Sequence, residues 1–364
     1  MKSKKINSNS QRRKSVKNKG NPLETKIRNI LRNRILKDIN VWKKPNKKEM
    51  REAMEKYYLE NKDTQAIMKL KIRKNRVIKP KTEYLYKIYK LRGIILYKMF
   101  NQFMSKINYN KKKYANFDLY ICLRDIVVNE DLPFFYFAKC LNQNGILIPD
   151  WTFHTPYKSK IKTNWHNQII QISKVCDRIT EKKDLVFFQG ADTSGTSKPV
   201  KTSKKTLIRR NLKNVGLDKN NNFPMEILID DEPKTSVTDW CSYKYLLDLP
   251  GAHPWSVRFK ELLLTGSLVI KVDVKDRWIN FYSDIFKPSE DYIQVIFDNK
   301  EYLEEKYESA EKTYSDIKKV VKEVSDEDIQ RITESANKKI KMVNNKMLTF
   351  YFETLINQYL ERFC

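Results

Sequence analysis

Two cations, Arg258 and Lys260, lie in a stretch that otherwise has the composition of a protein interior, residues 243–270. The pattern predicts an apolar strand before them and another after them, beyond a Gly-Ser break. Burying an unpaired charge is very costly, so each cation needs a partner. For Arg258 that partner is either an acidic side chain, with Asp248 and Glu261 as candidates, or an anion from outside the chain. These residues by themselves leave both alternatives open.

The segment LLDLPGAHPWSVRF has the pattern of a phosphate site. It predicts a strand, then a loop in which Gly251 permits close approach of a ligand, then a helix that Ser256 caps from near Val257. In open α/β sheets, ligands bind beyond the carboxyl ends of the strands, often at helix N-termini. The free amides of that helix, with Arg258 in its first turn, are therefore predicted to hold a diphosphate group.

The order of apolar patterns predicts an α/β protein. Residues 23–40 and 84–107 have the spacing of amphipathic helices. From residue 117 onward strands alternate with helices, which favours parallel sheets, in two blocks at about 85–155 and 165–300. After residue 300 the chain is predicted to be helical again.

Composition limits the partners of this chain. It has 364 residues, a net charge of +28 and 40% apolar residues, which fits about two domains with sizeable cores. Such a charge attracts phosphates, nucleic acids and anionic surfaces without specificity. Residues 1–20 hold eight Lys or Arg and no acid, and we expect them to be disordered. The basic face of helix 23–40 leaves nucleic-acid binding open as an alternative.

Metal-binding patterns are weak in this sequence. Asp326 and Asp328 have the D-x-D spacing of metal-binding transferases, but Ser325 before them predicts a helix N-cap with acids in its first turn. Three histidines in the whole chain argue against a zinc site. No apolar window of 18 residues predicts a membrane span. The five cysteines show no C-x-x-C spacing, which predicts reduced thiols in a cytosolic setting.

Several motifs follow one another in a recognisable order. Tyr-Lys-Tyr, Trp-Ser-x-Arg-Phe-Lys and Gly-Ser-Leu-Val occur within residues 243–269. The other matching segments are KIRKNRVI (71–78), CLRD (122–125), PDWTF (149–153), VFFQG (186–190) and RWINFYSDIFKPSEDYIQV (277–295). Together they resemble the CAP10-type glycosyltransferases of family 90, which include the Rumi-like protein O-glucosyltransferases. The resemblance extends over roughly residues 70–360.

This resemblance implies a GT-B fold, in which two Rossmann-like domains face each other across a cleft. Extra N-terminal helices and a helical C-terminal tail would complete the chain. The expected division is a disordered basic tail at 1–20, a helical extension at 21–70, an acceptor-side domain at 71–165, a nucleotide-sugar-binding domain at 166–310, and C-terminal helices at 311–364 that pack back on the first domain.

The resemblance also implies the reaction. It is an inverting, metal-independent transfer of a sugar, glucose or xylose, from a UDP-sugar to a hydroxyl of a protein Ser/Thr or a glycan. No cofactor or metal is expected beyond the UDP-sugar substrate, and nucleic acid is expected to bind only non-specifically, through the basic tail. The alternative function is a nucleic-acid-binding or non-catalytic partner-binding protein that reuses the fold.

The same resemblance assigns the site residues. Asp125, which follows a buried strand, matches the catalytic base, although it could also be a strand-end turn residue or a partner of Arg124. Arg124, Trp151 and Phe153 are expected at the acceptor cleft, where the two aromatic side chains either line the cleft or fill the core. The residues expected at the donor site are Gly190, Gly251, Trp255, Ser256, Arg258, Phe259, Gly266 and Ser267.

Two departures from the family pattern affect the donor site. The family's Phe-Arg-Gly-Ser-Arg is Phe-Gln-Gly-Ala-Asp at residues 188–192, so two cations are missing. Lys198, Lys201 or Lys204 in the next loop could replace them, although on a flexible segment; otherwise the donor differs or is bound more weakly. The family's His before Tyr-Ile is Asp291 here. Without a signal peptide or a retention ending, and with a composition rich in Lys, Asn and Ile, we expect a cytoplasmic protein, in the host cytoplasm or virion of a large DNA virus.

Overall fold

Alternating helices and strands make up the computed structural model, which describes most of residues 21–364. It does not describe residues 1–20, 44, 75, 112, 156–163, 192–207, 218–222, 230–234, 252–254, 275–277 and 298–306. The tail predicted to be disordered and the loop lysines Lys198, Lys201 and Lys204 therefore lie outside the described residues.

The elements are numbered here in chain order. The helices are α1 (Pro22–Ile39), α2 (Lys47–Asn61), α3 (Lys87–Met104), α4 (Trp165–Cys176), α5 (Ile208–Leu217), α6 (Val237–Trp240), α7 (Phe259–Leu262), α8 (Tyr307–Glu323), α9 (Asp326–Met342) and α10 (Asn345–Phe363). The strands are β1 (Ile67–Arg73), β2 (Arg76–Ile78), β3 (Asn116–Cys122), β4 (Phe135–Tyr136), β5 (Ala138–Cys140), β6 (Ile146–Leu147), β7 (Lys183–Gly190), β8 (Met225–Ile229), β9 (Tyr243–Asp248), β10 (Leu268–Val274), β11 (Trp278–Asn280) and β12 (Ile293–Phe297).

The terminal helices α1 and α10 pack against each other and against the first sheet. Helix α1 begins at Asn21, whose side chain accepts a hydrogen bond from the amide of Leu23. Its buried residues fall on one stripe that faces α10, so the helix predicted at 23–40 is confirmed. Apolar members of that stripe are Ile27, Leu31, Ile35 and Ile39. Ser325 caps α9 by accepting from the Asp328 amide at 3.1 Å, as its spacing predicted.

The first sheet is mixed, with the order β2-β1-β3-β4-β6. Strand β1 is antiparallel to both β2 and β3, whereas β3, β4 and β6 are parallel. A connection as short as the one between β1 and β2 makes a hairpin, because a parallel crossover needs a dozen or more residues. No helix lies between β3 and β6, where every residue is described. The helix–strand alternation expected from residue 117 is therefore wrong for this sheet.

The second sheet is parallel throughout, with the order β12-β10-β9-β7-β8. Of the five strands in this sheet, β7 comes first in the sequence, and it lies between β8 and β9. The later strands β10 and β12 continue on the β9 side. In such a sheet the direction of winding reverses between β7 and β9, and ligands bind outside the carboxyl ends at that point. Those ends are Gly190 and Asp248.

Two features join the sheets. Strand β5 from the first block pairs antiparallel with β11 from the second. One continuous apolar core also includes residues from both sheets and from α1 and α10. The opposite face of the second sheet packs on α5 and α8 in a separate core. Among the described helices, none is both long enough and apolar enough to span a bilayer.

Two local expectations are wrong. The helix expected from Trp255 to Gly266 is only α7, because the chain on both sides of it forms turns. Arg258, not Ser256, is its N-cap residue, and no side chain caps it.

The second expectation concerns thiols. Cys176 and Cys241 form a disulfide, since α4 and the turn after α6 bring their Cα atoms to 5.2 Å. Their separation of 65 residues has no sequence signature. Because disulfides are rare in reducing compartments, the pair gives no support to the cytosolic location, which stays a prediction.

Candidate active site

Arg258 lies at the carboxyl ends of β7 and β9, in the crevice where ligands of such sheets bind. Its Nη1 donates to the carbonyl oxygen of Gln189, the next-to-last residue of β7. Its backbone amide donates to Ser256 Oγ at 3.2 Å, and its guanidinium lies 4.6 Å from the ring centroid of Phe188. A Cβ on Gly190 would overlap with that guanidinium and with the edge of the Phe188 ring, so a side chain there would have to displace them.

The partners of the Arg258 guanidinium are neutral. Among the described residues, no carboxylate lies within 4 Å of it, so the internal ion pair with Asp248 or Glu261 is not formed at contact distance. Burial lowers the pKa of Arg258, and the more distant Asp248 and Glu261 offset this in part. Asp248 itself is buried, and its Oδ1 has no hydrogen-bond partner. Within the part of the chain that the structure describes, the crevice therefore combines a cation that has no carboxylate at contact distance with a carboxylate oxygen that has no hydrogen-bond partner.

A second arginine at this edge, Arg209, was missed by sequence reasoning. It is buried on α5, and it donates to the carbonyl oxygens of Ala191, Leu249 and Pro250. Its guanidinium is 5.2 Å from the centroid of the Phe188 ring. Arg209 thus ties the carboxyl ends of β7 and β9 together. Arg209 lies one helical turn before the buried Leu212, and this spacing could have indicated its burial. The sequence does not show which of the adjacent residues Arg209 and Arg210 is the buried one.

Lys260 has an internal partner. It is fully buried, and its Nζ donates to the carbonyl oxygen of Val257 at 2.6 Å and to Thr152 Oγ1. Thr152 is in turn held by Asp150, which accepts from both its amide and its hydroxyl. Burial raises the pKa of Glu261, and adjacent Lys260 opposes that rise. Lys260 therefore serves the architecture of the site, whereas Arg258 faces the crevice.

Asp125 lies beyond the end of β3, where Arg92 from α3 clamps it. Arg92 Nη1 and Nη2 donate to the two carboxylate oxygens at 3.1 and 3.2 Å, and Nη1 also donates to Leu123 O at 2.7 Å. The guanidinium stacks 3.9 Å from the Trp151 ring centroid. Asp125 is thus neither a simple turn residue nor a partner of Arg124, which bonds Gln65 instead. Arg92 was also missed, because a single Arg in an apolar helix gives no indication of its partner.

The two aromatic residues expected at the cleft have different surroundings. Trp151 supports Arg92 on one face and meets Phe137 edge-on, with centroids 4.9 Å apart. Phe153 is buried between Trp165 and Phe281, at 5.5 and 5.1 Å. Trp151 can therefore influence Asp125 through Arg92, whereas Phe153 fills the core.

A small recess adjoins Ser256. Trp255 and Phe259 are on its wall, and Phe259 is itself nearly buried, edge-on to Tyr292 at 5.2 Å. Gly251 follows Pro250, whose carbonyl oxygen binds Arg209. Trp255, Ser256, Phe259 and Gly251 are thus close to Arg258 in the fold.

Gly266 and Ser267 lie elsewhere. They precede β10, at the amino ends of the parallel strands, and Ser267 Oγ donates to Tyr243 O at 2.6 Å and accepts from Lys182 Nζ at 3.0 Å. Gly266 has φ +65°, and a Cβ there would meet no atom within 4 Å. The fold therefore places these two residues at the edge of the sheet opposite to Arg258, where Gly266 allows a left-handed turn.

The two departures from the family pattern have internal partners. The Gln189 side chain accepts from the amide and hydroxyl of Thr235 at 3.0 and 2.8 Å. Asp291 is buried and accepts from Lys339 and Ser335 of α9, both at 2.6 Å. In the described part of the chain, His, Cys, Asp and Glu do not form a group of three or more that could hold a metal ion.

Comparison with known proteins assigns the family. The family model described as "Glycosyl transferase family 90" matches residues 31–363. The chain belongs to this family. The resemblance that the order of motifs predicted is thereby confirmed.

This family 90 chain is also similar to protein O-glucosyltransferase 1 of Bos taurus. The two are 30% identical over 180 residues, which are 46% of this chain and 44% of the bovine protein. The match thus spans less than half the length of that relative.

Proposed function

We propose that this family 90 chain is an inverting, metal-independent glycosyltransferase. The donor is a UDP-sugar, with glucose or xylose as the sugar, and the acceptor is a hydroxyl of a protein Ser/Thr or of a glycan. The name of the bovine relative supports a protein acceptor and glucose. In this proposal the two sheets correspond to the two halves of a GT-B enzyme, with the donor on the second sheet and the acceptor on the first.

One observation carries the donor assignment. The Arg258 guanidinium lies above Gly190 at the reversal point of the second sheet, with only neutral partners among the described residues. A diphosphate is the anion that fits a forked cation next to backbone groups in this position. Arg209 holds the two strand ends and so maintains the shape of the crevice.

The proposed step uses Asp125 as the base. As the acceptor oxygen attacks the anomeric carbon, Asp125 takes the hydroxyl proton, and the bond from that carbon to the diphosphate oxygen breaks. The electron pair leaves with UDP, whose negative charge Arg258 stabilises. Attack from the side opposite the leaving group inverts the anomeric centre. Arg92 occupies one site on each carboxylate oxygen, so each oxygen keeps a lone pair for the proton.

A donor screen tests the proposal. The purified chain is incubated with UDP-glucose, UDP-xylose and other UDP-sugars in EDTA, and melting temperature and sugar release are measured. We expect one UDP-sugar to stabilise the chain and to be slowly hydrolysed, and Asp125→Asn to keep binding while losing about a hundred- to ten-thousandfold in rate. No stabilisation and no hydrolysis by any donor, or full activity in Asp125→Asn, would contradict the assignment.

The alternative function has its own signature. A nucleic-acid-binding protein would bind DNA with an affinity that falls steeply with salt, and UDP-sugars would not affect its melting temperature. Measuring both properties on one preparation separates the two functions.

A further inference from the structure

One flank of α3, next to Asp125, has exposed apolar side chains. Ile88 is 46% exposed and Leu91 is 55% exposed, and half-buried Ile95 continues the row. Residues three and four apart lie on the same side of a helix, so these side chains form one strip. Exposed aliphatic side chains grouped in this way mark a contact surface more often than isolated ones do.

The flank runs directly to the candidate base. Ile88 precedes Arg92 by four residues, which is one helical turn, or about 6 Å. Arg92 holds both carboxylate oxygens of Asp125. A chain segment lying along Ile88 and Leu91 would therefore continue into the space in front of Asp125.

The border of the strip is strongly basic. Lys87, Lys90 and Lys98 are exposed, and α3 contains no Asp or Glu. None of these three lysines has a carboxylate within 4 Å among the described residues. From residue 64 to residue 117, Glu83 is the one acidic residue in the sequence. The surface thus combines aliphatic contact area with cations that lack counterions.

We propose that this α3 flank is a docking surface for an acidic peptide segment of the acceptor protein. Apolar side chains of the segment contact Ile88 and Leu91, and its carboxylates meet Lys87 and Lys98. An extended peptide advances about 3.3 Å per residue, so a hydroxyl a few residues beyond the docked segment reaches Asp125. This inference rests on the proposed function, because it assigns the surface to the acceptor of that reaction.

Other occupants fit the flank less well. The N-terminal tail of the chain is itself basic, with eight cations and no acid in residues 1–20. A second copy would bring another net charge of +28 against this surface. Single-stranded nucleic acid fits the charge, and Tyr86 at the start of α3 is 76% exposed, but the strip itself is aliphatic, and Ile88 and Leu91 offer no ring for base stacking. An acidic peptide with apolar residues matches both properties.

Binding of labelled peptides to the full chain tests the proposal. Three fluorescein-labelled 12-residue peptides share a central Ser: one alternates Glu and Leu, one has Ser in place of Leu, and one has Lys in place of Glu. Dissociation constants are measured by anisotropy at physiological salt. The variants are Lys87→Glu with Lys98→Glu, and Ile88→Ser with Leu91→Ser.

Helix α4 supplies matched control variants. It also presents exposed aliphatic residues and exposed Lys174, and exposed Arg178 follows its end, so Ile170→Ser with Val175→Ser, and Lys174→Glu with Arg178→Glu, make equivalent changes. Circular dichroism checks that all variants fold. Donor hydrolysis without acceptor, measured on every variant, reports on the proposed function separately.

We expect the Glu-Leu peptide to bind best and to lose at least tenfold in affinity in both α3 variants, but less than twofold in the α4 controls. Equal losses in the controls, or unchanged binding in the α3 variants, would overturn the docking surface even if donor hydrolysis is intact. A single-stranded oligonucleotide that binds this flank more tightly than the peptide would also overturn it. If the peptide binds but no donor is hydrolysed, the docking surface is supported and the proposed reaction is refuted.

Discussion

Lys260 of α7 donates a hydrogen bond to Thr152, which precedes it by 108 residues and follows the first sheet. Thr152 is adjacent to Trp151, whose ring supports the Arg92 clamp on Asp125. Lys260 is two residues from Arg258, the candidate diphosphate ligand. This buried contact therefore links the segment that would bind the donor to the group that would activate the acceptor.

Replacing Arg258 should mainly weaken UDP binding, whereas replacing Lys260 should mainly lower the melting temperature. Arg258→Ala should lose about 1.5–3 kcal/mol of UDP binding, on the scale of hydrogen bonds to charged groups, which is about ten- to a hundredfold. Arg258→Lys should recover little, because a point charge cannot reproduce the planar fork. Lys260→Met is the matched control and should lower the melting temperature more, since it leaves buried polar groups unpaired. Calorimetry with UDP and thermal unfolding of each variant decide this, and equal UDP affinity in Arg258→Ala and the wild type would refute the donor site.

Two glycines should separate binding from folding. A Cβ at Gly190 overlaps with Arg258, so Gly190→Ala should displace the guanidinium and cost about 1 kcal/mol or more of UDP binding. Gly266→Ala meets no atom but forces a side chain into φ +65°, which should cost about 1–2 kcal/mol of folding stability. We expect Gly266→Ala to bind UDP like the wild type. The opposite pattern, with UDP affinity lost in Gly266→Ala, would place the donor at the other edge of the sheet.

Arg92 should act as a positioning residue for Asp125. Arg92→Met should lower kcat for donor hydrolysis by about a hundredfold, the order expected for a misplaced catalytic group, and leave KM for the donor nearly unchanged. Arg92→Lys should recover part of kcat because it keeps the positive charge. The recovery should be incomplete because Lys holds one carboxylate oxygen at a time. A purely structural role predicts instead a fall in melting temperature with normal kcat in the folded fraction.

Lys182 should make the free energy of unfolding depend on pH in the alkaline range. Burial lowers the pKa of Lys182 to about 8, from an ordinary value of 10.5. Between these values the unfolded chain binds more protons than the native one, so the contribution of Lys182 to stability rises with pH. The unfolding free energy of the wild type, relative to Lys182→Met, should therefore increase from pH 8 to pH 10. Urea unfolding of both proteins at several pH values checks this, and a difference that is constant or falls over this range would contradict it.

The sequence predicted the candidate site in outline. Arg258 was predicted from a local pattern, an apolar strand followed by a Gly-containing loop, whereas Asp125 was assigned by its match to a family motif that follows a buried strand. Such patterns depend on neighbouring residues alone, so they can be read without the fold. The capping role of Ser325 was predictable for the same reason.

Partners far apart in the chain were not predictable. Arg92 and Arg209 look like ordinary helix cations, and only the packing of α3 and α5 brings them to Asp125 and to the ends of β7 and β9. The Cys176–Cys241 pair and the mixed first sheet depend equally on contacts between distant segments.

The sequence by itself determined the family, the basic charge, the terminal helices and the parallel second sheet, because these follow from motif order, composition and short-range periodicity. Only the tertiary structure decided which charged side chains have partners inside the protein. Lys260 donates to Thr152 in the interior, and the hydrogen-bond partners of Arg258 among the described residues are neutral. Gly266 and Ser267 lie at the opposite edge of the sheet from Arg258. Charge pairing depends on distances of a few ångströms between segments, and those distances exist only once the chain has folded.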